Sequence, residues 1–514
     1  MYELWADPFF GLFLSVLQKG TADNNYTMDD LLEAMTSDIR YRLTDVTELV
    51  AGPGEHQAIH HVEDRTLTTS CPERTLFCLL RKFSIVDSPT RWTSLTEFLE
   101  HRARDFPEKL LNNIVAEHNI ELCDTLGKAV ADGDFASYYR FLVTEGLASH
   151  LVKRSGQGFV VDLRHMSRYP VRDRYLPYGA CAVLGPDFDI RSIELGFTPK
   201  YNDAKTTVVG YDMIPHVVEC RALSPEWNLA HSVFVASLSC YTTVADHLLH
   251  THILSADSLL RVYYEYCGGS HGPGERDRVA RFLFPFVYGT SNINTAAMKV
   301  LFGERNTVHR LFSFTYDGLT EFTREVIRNY ARVPYPISLR GNGVETPFTR
   351  DIEKHWSIIR DFVTEFLVSC SETEIRNLYR AVGQGAGQGP GEGAGSGADS
   401  GAVLDFLTFN IFTVTVWHQH IGSISPYTFN PYSIRATVFK STPFDLMCSQ
   451  QESYHAMIVS AITSNIHYPK LLDVPTEQCG RLEGNWVGLQ ARLRETHFEC
   501  LILQPQFIEC SVAQ

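Results

Sequence analysis

The sequence lacks most of the features that assign a function quickly. There is no excess of base: 45 Lys and Arg stand against 60 Asp and Glu, a formal charge of −15 over 514 residues. Nucleic-acid binders and polybasic membrane tethers need a positive face, so both are disfavoured. No window reaches the roughly 18–20 uninterrupted apolar residues of a spanning helix. The apolar N-terminal run Phe9–Leu17 follows Glu3 and Asp7 in place of a positive leader, and no small-residue cleavage site follows it. It reads as a buried or docking helix opening at Asp7-Pro8. The twelve cysteines are scattered, with no C-x-x-C pair, which excludes a disulfide scaffold and ordinary zinc or redox motifs. Reduced, mostly buried thiols fit a cytoplasmic protein. There is no G-x-x-x-x-G-K-[ST] phosphate loop and no internal repeat.

What is present is a long, folded, mainly helical chain. Hydrophobic residues make up 44% and charged residues 20%, and 514 residues would ordinarily suggest about three domains. Thr27 opens a run with helical spacing, Ser94 and Glu97 form a capping-box pattern, and Trp356, Ile359, Phe362, Val363 and Phe366 make an amphipathic stripe. Strand signals are confined to a small patch near 158–215. Residues 383–401 hold nine of the 35 glycines and no large apolar residue, the composition of a flexible loop. A second glycine-rich turn begins at Cys267.

Histidine carries the chemistry. His247, His250 and His252 lie in "WNLAHSVFVASLSCYTTVADHLLHTHILSADSLL" from Trp227, and His418 and His420 in "FLTFNIFTVTVWHQHIGSISPY" from Phe406. Both stretches read as buried helices. Histidines clustered in such surroundings are either a metal site or a hydrogen-bonded core network. Neither stretch is H-E-x-x-H, which speaks against a zinc protease. Asp246 sits beside His247 in an otherwise apolar run. A buried carboxylate needs a partner: either it serves as general acid/base or ligand, or it forms an ion pair with an arginine on the outer face.

The first stretch resembles the central iron-binding helix of lipoxygenases, W-x-x-A-K followed by H-x4-H-x4-H and "HLL-x-TH". Trp227–Ala230 and His247–His252 fall at that spacing. "RFLFPFVYGTSNINTAA" from Arg281, "IFTVTVWHQHIG" from Ile411 and the closing "IECSVAQ", Ile508–Gln514, resemble the family's next three segments in order. The resemblance implies a large helical catalytic domain around a long central helix. On it, 1–514 is one domain: an N-terminal helical part over 1–150 without a β-sandwich, then a core over 151–514. It also implies non-heme iron, or manganese, and an apolar polyunsaturated substrate that reacts with dioxygen.

The implied ligand positions are Thr242, His247, His418, Gly422 and the carboxylate of Gln514, so two of the five are changed. His252 and His250 fall behind the ligands, and His231 replaces a lysine. His247, His418 and Gln514 would still make a two-histidine, one-carboxylate set. In an α-helix residues five apart diverge by about 140°, so ligands at that spacing need a local π-widening. Three functions follow: a metal-dependent dioxygenase, a metal-independent cyclase or isomerase on the same fold, and a non-catalytic lipid-binding protein.

Overall fold

A computed structural model describes residues 39–41, 65–67, 91–105, 117–267, 278–287, 311–330, 344–385, 400–432, 435–450, 452–453, 456–457, 470–474 and 482–510. The Phe9–Leu17 run, the turn after Cys267 and Gln514 lie outside them.

The chain is mainly helical, with one five-stranded antiparallel sheet. The sheet has the order β3 (Lys153–Ser155), β4 (Gly158–Asp162), β5 (Ala180–Leu184), β6 (Ile190–Leu195), β9 (His216–Glu219). A separate ribbon pairs β7 (Thr198–Tyr201) with β8 (Val208–Asp212). The β patch therefore sits where expected, but β6 and β9 carry more of it than the sequence signals did. Before it, helices α1 (Leu95–Asp105), α2 (Glu117–Ala131) and α3 (Phe135–Thr144) follow one another. Half of the capping box forms: Ser94 Oγ accepts from Glu97 N at 3.1 Å, while the Glu97 carboxylate accepts from Thr93 N at 2.6 Å, one residue earlier than the box requires. One difference lies inside the run read as helical from Thr27. There Ile39–Tyr41 (β1) pairs antiparallel with Arg65–Leu67 (β2). Ile39 and Tyr41 are β-branched and aromatic, types that favour strands.

The central helix begins with Ser224 as N-cap and Pro225 in its first turn, and runs as α4 (Pro225–Tyr241). It continues without a break as a π-helical segment, π1 (Thr242–Ser255), and then as α5 (Ala256–Cys267). Trp227, Leu229, Ala230, Val233, Phe234 and Leu238 are all buried, so α4 is buried around its whole circumference. Trp227 meets Phe135 edge-on at 5.4 Å. The sheet lies against α4 through Gly179, whose N–H donates to Ser237 Oγ at 2.8 Å. Gly179 has φ +108°, and a Cβ there would lie 2.6 Å from Ser167 N, so only glycine fits.

Two hydrophobic cores share this helix. One joins α2, α3, the sheet and α4, and runs as far along π1 as Leu254. The other begins at Ala256 and joins α5, α6 (Arg278–Val287), α8 (Pro347–Val368), α9 (Glu372–Gly385) and α10 (Ser400–Phe412). Helix α7 (Tyr316–Tyr330) belongs to the first core. In α8 the expected stripe is buried, with Phe366 stacked on Phe282 at 3.7 Å. The glycine stretch is trimmed at both ends, since α9 runs through Gly385 and α10 starts at Ser400.

After α10 comes a second widened segment, π2 (Thr413–Trp417), then the short α11 (His418–Gly422). Both π segments are rich in threonine. Thr242 Oγ donates to Leu238 O at 2.8 Å, Thr251 Oγ to Asp246 O at 2.9 Å, Thr413 Oγ to Phe409 O at 2.7 Å and Thr415 Oγ to Ile411 O at 2.6 Å. A widened ladder leaves carbonyls poorly matched, and threonine hydroxyls satisfy them locally.

Candidate metal centre

The two widened helices cross where the two cores meet, and three rings converge there. His252 Nε2 lies 3.0 Å from His247 Nε2 and 3.2 Å from His418 Nε2, and His247 and His418 are 3.1 Å apart. Among the described residues these three are the one group of His, Cys, Asp or Glu placed to hold a metal ion. The π-widening explains His247 and His252. Five residues apart, they would diverge on an α-helix, whereas an i→i+5 helix stacks them. The resemblance puts His252 behind the ligands. The structure instead brings its Nε2 to the same point as the other two, one π turn beyond His247.

A cation fits this arrangement. Imidazole nitrogens about 2.0–2.1 Å from a metal, at right angles to each other, stand ~3.0 Å apart. Three facing Nε2 atoms cannot all pair with one another as donor and acceptor, because each such nitrogen of a neutral imidazole is either a donor or an acceptor. Burial pushes His247 down to about 4. It pushes His418 well below the usual histidine range, and proximity to His247 adds to the effect. Neutral rings are the form that binds metals.

The two changed positions behave differently. Thr242 is buried, and its hydroxyl donates back to Leu238 O, so it is committed to the helix. Gly422 lies beside the rings: a Cβ there would stand 3.2 Å from His247 Nε2 and 3.3 Å from His418 Nε2. Any side chain at 422 would therefore enter the group. Gln514 lies outside the described residues, but the segment before it is tied down. Asp351 Oδ2 accepts from Glu499 N and Cys500 N, both at 2.7 Å, while His355 Nε2 donates to Leu503 O at 2.9 Å and Gln419 Nε2 to Ile502 O at 3.2 Å.

Asp246 faces a separate network, in which its ion-pair partners among the described residues are histidines, with no arginine. Its Oδ2 lies 2.8 Å from His150 Nε2 and its Oδ1 lies 3.4 Å from His250 Nδ1. His150 Nδ1 is in turn 3.3 Å from His420 Nε2, with Ser149 Oγ 3.4 Å from the same nitrogen. An ionised carboxylate only accepts, so His150 donates from Nε2. In the tautomer with its proton on Nε2, His150 accepts at Nδ1 from His420 Nε2–H. Burial works to raise Asp246, yet His150 and His250 hold it down to about 2. His250 and His420 therefore do not join the three rings. His231 is also apart: its Nδ1 lies 3.1 Å from Tyr139 Oη, and burial holds it down to about 3. His150 carries no signal in the sequence, being a single ring brought in from 96 residues away.

The three-dimensional likeness is to lipoxygenases. A calcium-dependent 11R-lipoxygenase superposes with TM-score 0.65 at 14% identity, over 92% of this chain and 80% of that one. The shared architecture is the lipoxygenase fold. Coral 8R-lipoxygenase, whose structure includes a C2-like domain, matches with TM-score 0.62 at 14% identity, over 88% of this chain and 76% of its own. A lipoxygenase in complex with arachidonate matches with TM-score 0.56 at 14% identity, over 75% and 68%. No protein-family model and no curated protein matches the sequence. Among the described residues no helix is long and apolar enough to cross a membrane.

Proposed function

We propose that this chain is a lipoxygenase-like oxygenase acting on an apolar, polyunsaturated, fatty-acid-like chain at an altered non-heme metal centre. The observation that carries this reading is the convergence of His247, His252 and His418 within 3.2 Å on the two widened helices of a lipoxygenase fold. The substrate class draws support from the arachidonate bound to one structural neighbour. His247, His252 and His418 would hold iron or manganese. When bound, such a metal supplies the one-electron oxidation that hydrogen removal from an activated methylene requires, before dioxygen adds to the substrate carbon.

The protein's part is to keep His247 and His418 neutral by burial and to shield the three rings between two apolar cores. It also places no side chain at position 422, where a Cβ would stand 3.2 Å from His247 Nε2 and 3.3 Å from His418 Nε2. The retained acidic character and the implied soluble location belong to the same proposal, as does the reading of 1–514 as a single domain.

Thr242 and Gly422 motivate the second reading, a cyclase or isomerase that positions a polyene without redox chemistry. One experiment separates the two. Purified protein should contain iron or manganese, should consume dioxygen with a polyunsaturated fatty acid, and should lose turnover in His247→Ala and His418→Ala. Turnover that survives metal stripping and needs no oxygen would reject the oxygenase in favour of the isomerase.

A further inference from the structure

The Asp246 network touches both ligand-bearing helices immediately beside their ligands. Asp246 precedes His247 on π1. His420 follows His418 by two residues on α11, and Trp417 precedes it. His150 reaches all three from a short 3-10 turn, Ser149–Leu151, that belongs to neither helix. It donates to Asp246 at 2.8 Å, accepts from His420 at 3.3 Å and packs edge-on against Trp417 at 4.9 Å. All these contacts are shielded: the His150 and Asp246 side chains are 8% and 5% exposed, and His420 is buried.

We infer that His150 is a positioning residue for the metal centre. Bridging Asp246 and His420, it fixes the spacing and rotation of π1 against α11, so that His247 and His418 meet. The inference rests on the metal reading above and deepens it.

The physical case is one of tolerance. A metal centre needs its ligands held within about 0.5 Å and 10–20°. Widened helices have a poorer backbone ladder than α-helices, so π1 and π2 need support from outside. Apolar packing alone tolerates small slides and rotations. A chain of two hydrogen bonds through one planar ring does not, because each bond loses strength as its angle departs from linear. His150 also fixes the sense of the chain, since the carboxylate at one end dictates which nitrogen of each following ring carries the proton. Without His150, Asp246 keeps, among the described residues, the His250 side chain alone, at 3.4 Å, and would shift or recruit water, carrying its neighbour His247 with it.

The test uses the full chain, stripped of metal and titrated with cobalt(II), whose visible bands report coordination geometry. His150→Phe removes both hydrogen bonds and keeps an aromatic ring. His150→Gln keeps a donor for Asp246. His150→Phe is expected to weaken cobalt binding about 10–100-fold and to shift the bands, with His150→Gln recovering at least part of both. A residue that merely supports the core would lower the melting temperature and leave the affinity and bands of both variants unchanged; that result overturns the inference. If His150→Phe does not fold, His150→Asn, whose shorter side chain cannot span Asp246 and His420, decides in its place: bands and affinity equal to wild type reject the proposal. Wild-type protein that takes up no cobalt rejects the metal reading and this inference with it. Wild-type uptake with unchanged variants rejects this inference only.

Discussion

His247 and Asp246 are neighbours in the chain, yet they join two groups of histidines built on opposite logic. Around Asp246, His150, His250 and His420 form an ordered chain ending on a carboxylate, which supplies the negative charge that makes each ring a donor. Around His247, the rings of His252 and His418 face it and each other with no carboxylate among the group. The same residue type, buried in the same helix pair, faces an acid in one place and other imidazole rings in the other. In the proposed reading, a metal cation is what the second group would take. Burial alone does not distinguish a ligand from a core histidine here; the direction of the ring nitrogens does.

The sharpest way to break this contrast is to remove one ring from each group. His252→Ala takes away one of three converging nitrogens, and metal affinity should fall by more than the 10–100-fold typical of losing a ligand's supporting partner. His250→Ala removes a partly exposed contact of 3.4 Å and should leave affinity within about twofold. Equilibrium dialysis against cobalt(II) or zinc(II) measures both. Equal losses would show that the two groups work as one site. No loss in His252→Ala would return that ring to a place behind the ligands.

A smaller effect separates the groups by acidity. His247 is held at about 4 when folded, against an ordinary value near 6.5, so the unfolded chain binds a proton that the folded ring refuses. Its contribution to stability is therefore complete above the unfolded value and is lost as pH falls from about 6.5 toward 4. For metal-free protein the loss from this ring should be on the order of 2–3 kcal/mol. Denaturant unfolding between pH 7 and pH 4.5 should show a steeper acid slope in wild type than in His247→Phe. Identical slopes would mean that the folded ring takes up its proton as readily as the unfolded chain does, so that burial does not hold it neutral.

The fold was legible because its signals are local and redundant. The W-x-x-A segment, the long buried helix, the capped α8 stripe and the strand patch each announce themselves over several residues. The pair His247 and His418 was legible for the same reason. His252 was half legible: its five-residue spacing from His247 repeats the spacing of Thr242 from His247. Only the widened helix shows which pair of a repeated spacing meets the other helix. His150 was not legible at all, because a ring that acts through contacts 96 and 270 residues away leaves no local pattern. The expected arginine partner of Asp246 failed for a related reason. Sequence showed the cost of burying a carboxylate but not which of several basic side chains the fold would deliver.

Thr242 gives the smallest and most discriminating prediction. It occupies the position that the family resemblance assigns to a ligand, and a hydroxyl could in principle bind a metal weakly. Here that hydroxyl donates to Leu238 O at 2.8 Å, which directs its proton into the helix. Thr242→Val keeps the shape and deletes the donor, so it should cost about 1 kcal/mol of stability through the lost hydrogen bond. Metal affinity and cobalt(II) bands should not change. A drop in affinity would mean that the centre lies one turn nearer the N-terminus of π1, around Thr242 and His247. In that case His252 would be its support and not its third ligand, and the contrast between the two histidine groups would have to be redrawn around a different set of rings.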